Sequence, residues 1–157
     1  MKSIPLTPNG EALVDDDVFD DISKYKWFLH NCGYAIRNIK QKGKSKTILM
    51  HRVIMNAPKG FLVDHINRNK LDNRKENLRI CTQQQNQFNV PPSDSDTKTS
   101  KYKGVCWSAK REKWVVQIGK SYKRFDNEDD AALFYNQKAV EFHGEFAYIN
   151  NVERQVV

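Results

Sequence analysis

Cysteine is scarce. Cys32, Cys81 and Cys106 are the only three, far apart and without a CxxC spacing. That excludes a disulfide framework and a zinc knuckle, and leaves three thiols to be buried as small apolar side chains. No apolar run approaches the roughly 20 residues needed to span a bilayer. The start, Met1-Lys2-Ser3-Ile4-Pro5-Leu6-Thr7-Pro8, has no apolar stretch of the signal-peptide kind. A cytoplasmic protein with no membrane partner is expected. Acid is also short over most of the chain. Residues 1–23 hold six of the 19 acidic residues and one of the 26 bases, so the remainder carries a net charge of +12. A basic body of this kind fits a polyanionic partner, because Lys and Arg attract phosphates and release counterions on binding. Hydrophobic residues make up 39% of the 157 and aromatics 11%. That excludes a fully disordered chain and suits one domain or two small ones.

Turn signals divide the chain. Residues 4–39 read as short strands and turns, with Pro8-Asn9-Gly10 a turn and a hairpin around Asn31 to Gly33. Lys40, Lys42, Lys44 and Lys46 crowd a second turn, within reach of phosphates or simply solvated. Residues 48–56 fit a strand end or a short helix. Phe61 to Ile66 and Leu78 to Cys81 read as short strands around a polar loop. Thr82-Gln83-Gln84-Gln85 is a capping box that starts a helix near Gln83. Residues 91–101 are rich in proline and polar residues and read as a linker. Beyond it, Tyr102 to Trp107, Lys113 to Ile118 and Tyr122 to Phe125 are strand-like. Asp126 to Asp129 then opens a helix that Gly144 ends. The fold class expected is α+β.

Phosphodiester hydrolysis needs a base for water and positive charge for the phosphate and the leaving alkoxide. A neutral histidine suits the first near neutral pH. A hard divalent cation held by one or two protein oxygens suits the second. Asp64 and His65 put a carboxylate beside an imidazole. Strand neighbours point to opposite faces, so the two serve one phosphate only where the strand ends or bends. Asn86, about one turn into the next helix, offers an amide oxygen, and Asn89 lies one turn further. Asp64 has an alternative partner in Arg74 or Arg79. Asp72 and Asn73 look like turn formers. His51 suits a phosphate contact or packing under the sheet, and His30 and His143 read as structural.

Residues 50–89, MHRVIMNAPKGFLVDHINRNKLDNRKENLRICTQQQNQFN, resemble the His-Asn-His (HNH) homing endonucleases of phages and bacteria, and LVDDDVFDDISKYKWFL and GYAIRN extend the likeness toward the N-terminus. The resemblance implies a β-β-α metal nuclease core, with N-terminal antiparallel strands, over residues 1–90. It implies catalytic roles for His65, the general base, and Asn77, which would hydrogen-bond across the loop and fix the His65 backbone. Asp64 and Asn86 would hold Mg2+, which Mn2+ or another divalent cation replaces. Asparagine stands at 86 where the family name has its last histidine, as in several homing members. His51, Arg52 and Arg79 are candidate DNA contacts.

Residues 102–157 carry YKGVCW, KWVVQI and AALFYNQKAVEFHGEFAYIN. They resemble the Apetala-two (ethylene-response-factor) DNA-binding domain, which lays a three-stranded sheet in the major groove and backs it with a helix. By that likeness Lys103, Trp107, Lys110, Arg111, Lys113, Lys123 and Arg124 are the expected DNA contacts. Trp114, in a strand, reads as packing, and Lys120 is a further candidate. The Gly119-Lys120-Ser121-Tyr122 segment is shorter than the usual hairpin of that family. The sequence therefore points to a metal-dependent, homing-type endonuclease of double-stranded DNA, with no small-molecule substrate. The alternative is a non-catalytic DNA-binding protein on an HNH scaffold. No RNA-recognition sheet motif is present.

Overall fold

A computed structural model of the chain describes residues 1–92 and 98–153. The structure is α+β and divides into two compact units, Met1–Asn86 and Gln87–Val157. Among the described residues no helix is long and apolar enough to cross a membrane.

The first unit opens with β1 (Lys2–Thr7) and β2 (Glu11–Val14), an antiparallel pair. Their alternation sends Ile4, Leu6, Ala12 and Val14 into the core. Next comes α1 (Asp16–Ser23), where the sequence suggested only strands and turns. Two aspartates in its first turn favour the helix dipole, and Val18, Phe19 and Ile22 share its inward face. β3 (Trp27–Leu29) runs parallel to β1 and forms the expected hairpin with β4 (Ala35–Gln41). Trp27 is buried, and its indole N–H donates to the Ile22 carbonyl at 2.9 Å.

β5 (Lys44–Leu49) pairs with β4 across Lys42-Gly43, both at positive φ (51° and 74°). That two-residue turn matches strand twist, so the lysine-rich segment is a long hairpin rather than a loop. The sheet order is β2-β1-β3-β4-β5. Residues 48–56 resolve as the end of β5 followed by α2 (Met50–Ile54), which buries Met50 and His51. β6 (Leu62–His65) and β7 (Leu78–Cys81) form a separate two-stranded sheet. α3 (Gln83–Asn89) follows. Its capping box is reciprocal: Thr82 N donates to Gln85 Oε1 at 2.9 Å, and Gln85 N to Thr82 Oγ1 at 3.2 Å.

The second unit holds β8 (Val105–Ser108), β9 (Lys113–Ile118) and β10 (Ser121–Phe125) in one antiparallel sheet, followed by α4 (Glu128–His143). Asn127 caps α4 by accepting from Asp129 N and Asp130 N at 2.7 and 3.2 Å, and Gly144 ends it at φ 56°. The short hairpin places Ser121 opposite Ile118. Val105, Val116 and Ile118 meet Ala131, Ala132, Tyr135 and Ala139 in the core. Gly104, at φ +74°, lies so close to Tyr135 that an added Cβ would stand 2.2 Å from its ring. Part of the expected linker, residues 93–97, lies outside the described residues. Ser100 Oγ donates to Glu128 Oε1 at 2.6 Å, and Thr99 Oγ1 accepts from Trp107 N at 2.8 Å.

Candidate active site

β6 ends at His65, and the residues that surround its ring come from four segments. Opposite it in the ladder stands Leu78, and one step back Asp64 faces Arg79. Paired residues share a face. Arg79 accordingly donates from Nε and Nη2 to Asp64 Oδ2 at 2.9 and 2.6 Å, with both side chains buried. The His65 ring, 4% exposed, meets His51 edge-on at 5.0 Å and Tyr34 at 6.0 Å. His65 Nε2 lies 3.3 Å from Asn73 Oδ1. Burial holds the His65 pKa below the usual histidine value, against opposing pulls from Asn73, Asp64 and Asp72. Neutral imidazole therefore predominates at neutral pH. Burial pushes His51 further, down to about 3.

The loop from Ile66 to Asn77 is stitched at several points. Asn77 Oδ1 accepts from Asn67 N at 2.9 Å, and its Nδ2 donates to the Asp72 carbonyl at 2.8 Å. Ile66 N donates to the Asn77 carbonyl at 2.9 Å. The Asn77 side chain thus binds across the loop on both sides, at Asn67 and Asp72. Asp72 takes Arg74 Nε and Nη2 at 2.7 Å each and Asn67 Nδ2 at 2.9 Å. The Arg74 guanidinium holds the Asp72 carboxyl below the usual carboxylate range. Strand β2 clamps the same loop: Leu13 N donates to Leu71 O and Asn73 N to Leu13 O, each at 2.8 Å, and Lys75 N to Asp15 Oδ2 at 2.7 Å.

Several expected DNA contacts have other partners. Arg79 is buried against Asp64. His51 is buried between Tyr34 and His65, the packing alternative of the sequence reading. Arg52 donates to the carbonyls of Phe61, Ala57 and Pro58 at 2.6, 3.3 and 3.2 Å. Lys103 Nζ donates to the carbonyls of Phe88 and Val90 at 2.9 and 2.6 Å, and burial lowers its pKa. In the three-stranded sheet, cross-strand pairing divides the rest. Trp107 shares the α4 side with Trp114, which it meets at 5.1 Å. Lys123 sits on that side too, over the rings of Phe125 and Phe134. Lys113, which pairs with Asp126, and Arg124 occupy the opposite face. Lys110 and Arg111 are exposed in the β8–β9 turn.

Asn73, read as a turn former, and Tyr34, given no role, are the residues the sequence reading missed. Nothing local distinguishes a buried asparagine in a loop from one that merely turns the chain. Asp64 carries a carboxylate oxygen and Asn86, on α3, an amide oxygen, the donor types that suit a hard divalent cation. Magnesium takes few protein oxygens. Among the described residues no cluster of three or more His, Cys, Asp or Glu competes as a metal site.

Comparison with known proteins follows the same segment. The HNH endonuclease family model matches residues 49–88. An uncharacterized HNH endonuclease of Acanthamoeba polyphaga mimivirus is 34% identical over 145 residues, covering 90% of this chain and 75% of that protein. Protein 3.8 of Escherichia phage T7 is 36% identical over 95 residues, covering 57% of this chain and 76% of its own. Among solved structures, one of DNA binding and cleavage by the HNH homing endonuclease I-HmuI is similar at 22% identity and a TM-score of 0.38, covering 75% of this chain and 74% of that one.

Proposed function

The chain belongs to the HNH endonuclease family, and from that premise we propose that it is a homing-type enzyme that hydrolyses phosphodiester bonds in double-stranded DNA with a divalent metal. The observation that carries the reading is the buried His65 at the end of β6, its pKa lowered by burial, next to Asp64 in a β-β-α unit whose loop Asn77 braces. In this reading His65 takes a proton from the attacking water. Asp64 and Asn86 would hold Mg2+, or Mn2+ in its place, and Arg79 orients the Asp64 carboxylate. When bound, such an ion neutralises charge on the phosphate and the leaving oxygen. Asn77 keeps the loop closed, so that His65 does not drift from the phosphate.

The C-terminal unit is proposed as an Apetala-two-like DNA-binding domain. Its three-stranded sheet backed by α4 supports this, with Lys110, Arg111, Lys113 and Arg124 as its phosphate and base contacts. Lys40, Lys42, Lys44 and Lys46 on the β4–β5 hairpin add phosphate contacts in the first unit. Affinity is then expected to fall steeply as salt rises.

The test is nicking or linearisation of supercoiled plasmid with Mg2+, beside EDTA and His65→Ala. Product from wild type alone, abolished by either change while duplex binding persists in the variant, is expected. Undiminished cleavage by His65→Ala would remove the proposed base.

A further inference from the structure

We infer that Asn73 is a positioning residue: it fixes which ring nitrogen of His65 carries hydrogen, and so leaves Nδ1 as the nitrogen that takes the proton from water. The inference rests on the reading of His65 as the base. An amide oxygen only accepts. Asn73 Oδ1 faces Nε2 at 3.3 Å, so Nε2 must donate. A neutral imidazole has one N–H, and its lone pair then sits on Nδ1.

The surroundings hold this arrangement. Asn73 N donates to the Leu13 carbonyl at 2.8 Å, next to the Leu13–Asp72 bridge, so strand β2 fixes the backbone from which the amide projects. The rings of His51 and Tyr34 restrict rotation of His65. A second observation bears on purpose. Asn73 is 0% exposed, and its Nδ2 has no hydrogen-bond partner among the described residues. A buried donor without a partner is destabilising, because its lost hydration is not replaced. Leucine has nearly the same shape and would avoid that cost. A side chain retained at such a cost, whose oxygen meets His65, is placed for His65 rather than for packing.

The test is the tautomer of His65, read from its ring nitrogen resonances by NMR on the full chain in mildly alkaline buffer. Wild type, Asn73→Leu and Asn73→Asp are compared. Wild type is expected as Nε2–H. Asn73→Leu should shift the ring toward Nδ1–H and slow Mg2+-dependent plasmid nicking by roughly 10- to 100-fold. Its duplex affinity should be unchanged and its denaturation midpoint equal or higher. Asn73→Asp keeps an acceptor and should keep Nε2–H. A wild-type ring in the Nδ1–H form, as a reversed amide would impose, overturns the inference. So does an Asn73→Leu ring that stays Nε2–H. If Asn73→Leu does not fold, the wild-type spectrum still decides. A wrong tautomer leaves His65 as the base, whereas full nicking by His65→Ala removes the base itself.

Discussion

In the second unit a sixteen-residue helix lies on three strands, and the buried set is mainly valine, alanine, isoleucine and tyrosine. In the first unit an apolar cluster around Trp27 and Met50 adjoins a second interior made of His51, Asp64, His65, Asp72, Asn73, Asn77 and Arg79. The difference is one of tolerance. An apolar core is indifferent to pH and sensitive to shape. A buried polar network is sensitive to the loss of any one member, because each leaves a desolvated partner behind. The first unit accepts that liability where the proposed chemistry sits, and its interior and the proposed site are partly the same residues.

The sharpest way to break this comparison is Asp72→Ala. It strips Arg74 and Asn67 of a nearly buried carboxylate and should destabilise by about 3 kcal/mol. Residue-resolved hydrogen exchange should show β6 and β7 opening while β8 to β10 keep their protection. Equal loss in both would show that the two interiors are not energetically separate. The counterpart in the second unit is Gly104→Ala. The new Cβ would collide with the buried Tyr135 ring at a positive φ, and about 2 kcal/mol should be lost through shape alone. Here β8 to β10 should open first.

The smallest effect expected, taken over a single pH unit, is a slope with acid. His51 is 5% exposed and its pKa falls from 6.5 to about 3. The unfolded chain therefore binds a proton that the folded chain refuses. The stabilisation from neutral His51 is complete above 6.5 and drains as pH falls toward 3, at about 1.4 kcal/mol per pH unit. Burial shifts His65 in the same direction. His143, half-buried in the second unit, is displaced the same way. Denaturation midpoints measured across this range should therefore fall faster for the first unit, and His51→Phe should flatten its slope.

Much of this was legible in the sequence. The β6–β7 pair, the start of α3 and its reciprocal cap, and the three strands and helix of the second unit followed from apolar spacing, turn residues and the Thr82–Gln85 pattern. α1 was not, because its cluster of aspartates reads as loop until Val18, Phe19 and Ile22 find a common face. The basic residues were the least legible. The sign of a charge does not say whether its partner is a phosphate or the chain's own oxygen. Arg79 and Lys103 found Asp64 and the Phe88 carbonyl fifteen residues away, and Arg52 found the carbonyls of the turn that follows its own helix. Asn73 was hidden for a similar reason: its partners, Leu13 and His65, are brought to it only by the closed fold.

The clamp of strand β2 on the loop has a consequence for the order of assembly. Lys75 reaches Asp15 across sixty residues of chain, and Leu13 grips Leu71 and Asn73 over nearly the same span. Contacts that close such long loops form late, because their entropic cost precedes any reward. The β1–β2 hairpin leaves the ribosome before the loop does and waits for it. Until the two meet, the segment from Asp64 to Asn77 has only its own hydrogen bonds to hold it, and cleavage should wait for the clamp.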